Sequence, residues 1–258
     1  MTVAETLGKI LYRGFVPIIV GDDLPPLRCI EQLVAVGLEA VEISSRRPEA
    51  ARFIAEAKAQ FPQLAVGAAT LLEEGRMRDF VNGTGHYVPT IAEAVDAGAD
   101  FIVSLLPFRE PTYARFAGQV GIVAGVKTPG EAAQALDWGA NMVKFVTPHL
   151  VGGPEFFTAM DPATYRCFPY FVTGGMKYGV LPGYVAAGVL AFGAGFDLIL
   201  GADYRSCQAA FDADRVREGL NDYLRTLDRA RRQYQEHIPF ASRDAAAIAR
   251  ASGRCLNI

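Results

Sequence analysis

GANMVKFV (139–146) sets a lysine, Lys144, inside an otherwise apolar, β-branched run that opens on a glycine. The same rhythm recurs in GLEAVEIS (37–44), GADFIVSL (98–105) and GFDLILGA (195–202). Alanine- and leucine-rich segments with helical spacing lead into these runs and end in glycine, where a left-handed cap is expected. Working outward, the spacing predicts eight strands, at 16–20, 40–44, 65–70, 101–105, 121–126, 142–146, 170–175 and 198–202. Near-continuous apolar strands alternating with amphipathic helices imply parallel strands covered by helices. Eight such units predict an α/β fold of the closed (β/α)8 type, a TIM barrel, with a doubly wound open sheet as the competing architecture.

The 258 residues are 51% hydrophobic and 21% charged, enough apolar material for a large core and too little charge for a disordered chain. Lys plus Arg number 25 against 28 for Asp plus Glu, and no basic stripe is visible, so nucleic acid and anionic membrane are not expected partners. No apolar stretch reaches the ~18 residues a spanning helix needs. The opening MTVAETLGKILYRGF lacks the pattern of a secretory signal. Cys29, Cys167, Cys207 and Cys255 are widely spaced, which suggests neither a zinc site nor a disulfide framework and predicts a reduced, cytoplasmic setting. Residues 1–211 are read as the barrel. Residues 212–258 are read as a C-terminal helical extension packed on the barrel or on a neighbouring subunit, with Val216, Leu220, Leu224 and Leu227 forming an apolar stripe. Residues 71–88 lengthen the connection after the third strand, either as a lid on the catalytic face or as a surface insertion.

Glu42 and Lys144 are ionisable groups in the middle of apolar strands. Burying a charge without a partner costs several kcal/mol or shifts the pKa until the group is neutral. A desolvated lysine offers free amine for attack on a carbonyl, and a neighbouring carboxylate can shuttle the protons. The bland alternative is an ion pair that only fixes packing. At the ends of other strands, Arg46 offers a fork for a carboxylate, Thr70 and Thr173 a hydroxyl, and Gly174-Gly175 a close backbone approach to an anion. Lys127 and Lys177 are rival lysines, ranked lower because they fall in loops rather than in an apolar strand. His149, five residues past Lys144, is placed to line a pocket, whereas His86 and His237 read as surface or capping residues.

The ordered set FVPIIV, AVEISSR, VGAAT, MVKFVTP, GGPEFF and FVTGGM, in register over about residues 7–205, resembles the class I aldolases of 2-keto-3-deoxy-6-phosphogluconate and 4-hydroxy-2-oxoglutarate. The resemblance implies a barrel, a homotrimer, no metal or other cofactor, and cleavage of a 2-keto-4-hydroxy acid to pyruvate and an aldehyde. It further implies a Schiff base on Lys144, Glu42 as general acid/base, Arg46 and Thr70 on the pyruvyl carboxylate, and Thr173 beside the pyruvyl group. The family's Gly-Gly-Ser after the eighth strand is matched to Gly201-Ala202-Asp203, where a carboxylate would repel a phosphate. The family's Phe-Pro becomes Val146-Thr147-Pro148, and its Ser-Pro-Gly becomes Ser104-Leu105-Leu106-Pro107. These departures predict conserved pyruvate chemistry with altered aldehyde choice, including an unphosphorylated sugar acid. The competing functions are a phosphate-binding barrel isomerase or epimerase and an inactive keto-acid-binding barrel.

Overall fold

A computed structural model describes residues 1–21 and 24–258. Its strands are β1 Phe15–Ile19, β2 Ala40–Ser44, β3 Ala65–Leu71, β4 Phe101–Ser104, β5 Gly121–Val126, β6 Met142–Val146, β7 Tyr170–Thr173 and β8 Ala191–Gly195. All pair in parallel, in chain order, and β8 returns to β1 to close the barrel. The open-sheet alternative is therefore excluded.

Helix α1 (Val3–Arg13) precedes the barrel, and α2 (Pro26–Ala35), α3 (Ala50–Gln60), α4 (Arg76–Gly83), α5 (Ile91–Asp96), α6 (Glu110–Phe116), α7 (Pro129–Asp137), α8 (Pro154–Ala163) and α9 (Leu181–Ala186) follow the first seven strands. After β8 come α10 (Phe196–Leu200), α11 (Tyr204–Ala209), α12 (Ala213–Tyr234) and α13 (Ala245–Ser252).

Seven strands lie where the sequence rhythm placed them, and the eighth does not. Residues 198–202, expected as a strand, fall in α10 and the turn after it. Leu198-Ile199-Leu200 has the higher strand propensity, but the poor strand former Ala191-Phe192-Gly193-Ala194-Gly195 takes the place because register overrides propensity. Phe15 pairs with Phe192 and Ile18 with Gly195 on one side, and Phe171 with Ala191 on the other. The rhythm of glycine, two residues, then strand in fact starts at Gly188 (GVLAFGAG), and Gly195 ends β8 and caps the start of α10.

Alternation along each strand separates two cores. Inward residues, among them Val16, Ala69, Phe101, Val103, Met142 and Phe171, fill the barrel and meet Leu7, Ile10 and Leu11 of α1. Outward residues of the same strands pack beneath the helices. Helix α12 packs against both α2 and α9, so the segment expected as an extension supplies the barrel's eighth helix. Its stripe of Val216, Leu220, Leu224 and Leu227 is buried in the outer core. Only the chain beyond Tyr234 is additional. It packs on its own barrel, with α13 and Phe240 against α1 and the carbonyl of Arg243 lying where a Cβ on Gly8 would collide.

Arg231 of α12 ties these parts together. It is 6% exposed, donates to the carbonyls of Leu11 (3.1 Å), Tyr12 (3.1 Å) and Leu190 (2.6 Å), and lies 3.6 Å over the Phe240 ring. Arg231→Met strands these buried carbonyls, and the expected loss is about 3 kcal/mol, or roughly 6–12 °C in Tm. A thermal melt within about 2 °C of the parent would contradict this role for Arg231.

Candidate functional site

In a parallel barrel the strand ends and the loops after them form the face on which barrel enzymes bind substrate. Strands β2 and β6 stand four apart in the closed order, so they face each other across the barrel. By alternation Glu42 shares the inward face of β2 with Ala40 and Ser44, and Lys144 that of β6 with Met142. Their side chains meet: Lys144 Nζ donates to Glu42 Oε2 at 3.2 Å. Glu42 is fully buried and Lys144 is 6% exposed. Below them Phe101, Met142 and Phe171 fill the barrel, and the Phe171 ring centroid is 5.8 Å from Nζ.

Burial pushes the Glu42 carboxyl above its ordinary range, and the nearby Lys144 charge offsets part of that rise. Its second oxygen, Oε1, is buried without a hydrogen-bond partner among the described residues. Moving one proton across the gap between Oε2 and Nζ turns the ion pair into a free amine facing a neutral acid. Those are the two species that imine formation uses.

Arg46 is exposed just past β2, and its backbone N–H donates to Ser44 Oγ at 3.2 Å. Ser44 Oγ also shares a 2.9 Å hydrogen bond with Thr70 Oγ1. Strict alternation would turn Thr70 outward, because Gly67 and Ala69 lie on the inward face. A register shift against β4 and a left-handed Thr70 backbone (φ +58°) re-aim it toward Ser44. A β-branched residue in that region is strained, and such strain persists where geometry matters more than stability. Thr70→Gly is therefore expected to raise stability by about 1 kcal/mol. A variant that is less stable than its parent in urea would contradict the strain.

Thr173 ends β7 opposite Val146 of β6, and its carbonyl accepts from Thr147 N at 2.7 Å. Gly174 and Gly175 follow with φ of +79° and +76°. The structure thus gathers Glu42 with Lys144, and Arg46 and Thr70 around Ser44. Asp203 does not follow the eighth strand as expected: it lies beyond α10, half exposed, 3.9 Å from Arg215. The residues that do end β8 are Gly193-Ala194-Gly195. Of the rival lysines, Lys127 is exposed with Nζ on the Val146 carbonyl at 2.8 Å, and Lys177 is exposed in the turn after β7. His149 packs its ring on Gly175.

Sequence reading missed Ser44, although its position two residues after Glu42 on one strand face signalled it. It also missed the reach of the 71–88 insertion, where His86 Nε2 hydrogen-bonds to the Ser45 carbonyl at 2.8 Å. Helix α4 of that insertion buries none of its residues. A cleft of about 320 Å³ lined by Glu73, Arg109, Thr112 and Arg115 lies beside the insertion and contains neither Glu42 nor Lys144. Chemistry, rather than size, picks out the barrel centre.

These features define a (β/α)8-barrel protein with a lysine–glutamate pair buried under the face on which barrel enzymes bind substrate. The KDPG and KHG aldolase family matches residues 11–205, so the chain belongs to that family and is a lyase of the aldolase type. A 2-dehydro-3-deoxy-phosphogluconate aldolase of Treponema pallidum (strain Nichols) is 28% identical over 187 residues, 72% of this chain and 80% of that protein. The barrel is similar to that of a KDPG aldolase from Legionella pneumophila with pyruvate captured as a covalent carbinolamine (TM-score 0.64, 22% identity, 82% of this chain and 95% of that one). It is similar too to a 2-keto-3-deoxy-6-phosphogluconate aldolase of Zymomonas mobilis ZM4 with 3-phosphoglycerate (TM-score 0.65, 21% identity, 85% and 94%). Among the described residues no helix is long and apolar enough to cross a membrane.

Proposed function

We propose that the protein cleaves a 2-keto-3-deoxy (4-hydroxy-2-oxo) sugar acid to pyruvate and an aldehyde through a Schiff base on Lys144. The buried 3.2 Å contact of Lys144 Nζ with Glu42 carries this reading. A pair serving packing alone would bring little stability, since apolar residues of similar volume do as well. It would also have no use for the unpaired Glu42 Oε1.

Lys144 Nζ attacks the C2 carbonyl, Glu42 returns a proton to the departing hydroxyl, and water leaves as the imine forms. The protonated imine accepts the electron pair of the C3–C4 bond as a base takes the C4 hydroxyl proton. The aldehyde departs, and the enamine left on Lys144 takes a proton at C3. Water then releases pyruvate and restores the amine. Arg46 and Thr70 hold the substrate carboxylate, with Ser44 orienting the Thr70 hydroxyl and bonded to the Arg46 backbone, and Thr173 lies beside the pyruvyl group. The carbinolamine captured in the Legionella pneumophila protein supports the same chemistry here. Assembly as a homotrimer in the cytoplasm belongs to this reading, and light scattering reads the assembly.

The enamine makes the pyruvate methyl exchangeable without any aldehyde. Protein incubated with pyruvate in D2O is expected to wash deuterium into the methyl group, followed by proton NMR. Pyruvate that binds but exchanges no faster than in buffer would favour an isomerase or an inactive binder instead.

A further inference from the structure

Gly195 ends β8 on its inward face, two residues beyond Gly193 and four beyond Ala191. A Cβ built on Gly193 meets Ile18 and Phe171 inside the barrel, which fixes the direction in which these glycines look. A Cβ on Gly195 would lie 2.5 Å from Asp197 Oδ1 and 3.6 Å from Val20. The carboxylate of Asp197 thus folds back over the inner side of the β8 end, in the first turn of α10. On the adjoining β7 end, a Cβ on Gly174 would lie 2.9 Å from Thr147 Cγ2, and one on Gly175 would lie 2.8 Å from the His149 ring.

Barrel enzymes commonly seat a phosphate between the loops after the seventh and eighth strands and the start of a short extra helix. Here the start of that helix carries the protein's own carboxylate, lying over the β8 end on the side of Val20 and β1, while a threonine and an imidazole pack on the β7 glycines. A phosphate dianion beside a carboxylate is repelled, whereas sugar hydroxyls donate to one. Resting on the aldolase reading, we propose that the barrel mouth over the β8 end takes the uncharged, hydroxylated distal end of the sugar acid, with Asp197 as the residue that sets this choice. In this the chain departs from its Treponema pallidum relative, whose name specifies a phosphorylated acid. Lys177, in the turn after β7, joins no ion pair among the described residues and is the cation against which the choice has to hold.

Pyruvate release is measured from 2-keto-3-deoxygluconate, 2-keto-3-deoxygalactonate and the 6-phosphate of each, with the parent, Asp197→Asn and Lys177→Ala. The parent is expected to favour an unphosphorylated acid over its phosphate by about tenfold or more in kcat/KM. Asp197→Asn is expected to shrink that ratio about tenfold through KM, with kcat within about twofold, while Lys177→Ala, which removes the cation favouring a phosphate, widens it. Preference for a phosphate, or a ratio that Asp197→Asn does not move, overturns the inference. So does failure to cleave any of the four while pyruvate is still trapped on Lys144 by borohydride. Absence of that trapped adduct removes the aldolase reading itself.

Discussion

Replacing Lys144 by methionine is expected to lower kcat/KM about 10⁴-fold or more, because among the described residues no other lysine is buried. Methionine keeps the length of the stem over Phe171, and it leaves Glu42 in a fully buried setting without its cation. Burial already raises the Glu42 pKa, and losing Lys144 raises it further, so the carboxyl stays protonated and the variant folds. The sign of the stability change with pH follows from that shift. A carboxyl whose folded pKa lies above its unfolded value contributes fully at low pH and becomes unfavourable as pH rises through the folded pKa. Lys144→Met is thus expected to melt near the parent in mild acid and to lose ground steadily toward alkaline pH. Retention of more than a few per cent of the parent activity would place the Schiff base on another lysine.

Glu42→Gln has the second-largest expected effect, a fall of about 10²–10⁴ in kcat, since glutamine keeps the shape but cannot exchange a proton. The parent's acidic limb is expected above the ordinary carboxylate range of about 4.3, because Glu42 must shed a raised proton before it can act as base. The glutamine variant should lack that limb. Activity in Glu42→Gln with the limb intact would show that a different group carries the protons.

The barrel was legible because its strands are buried on both faces and read as apolar runs, punctuated by the glycines that end the helices. Lys144 and Glu42 were legible for the converse reason: charge stands out in such runs. The eighth strand was not, because Ala191–Gly195 is a poor strand former beside the more strand-like Leu198-Ile199-Leu200, and only pairing with β1 and β7 decides between them. That slip carried the reading of the β8 end to Asp203 and hid Asp197, whose place over Gly195 depends on the backbone turning into α10 at once. Helix α12 looked like an extension because an amphipathic stripe does not reveal what covers it, and contact with α2 and α9 does. Thr70 was legible by type, but its orientation depends on a left-handed backbone that alternation does not foresee.

The most direct test is to incubate the protein with pyruvate, reduce with borohydride, and map the product by intact-mass and peptide mass spectrometry. A single reduced pyruvyl adduct on Lys144 is the predicted result. An adduct on Lys127 or Lys177, or none while pyruvate binds, would contradict the account.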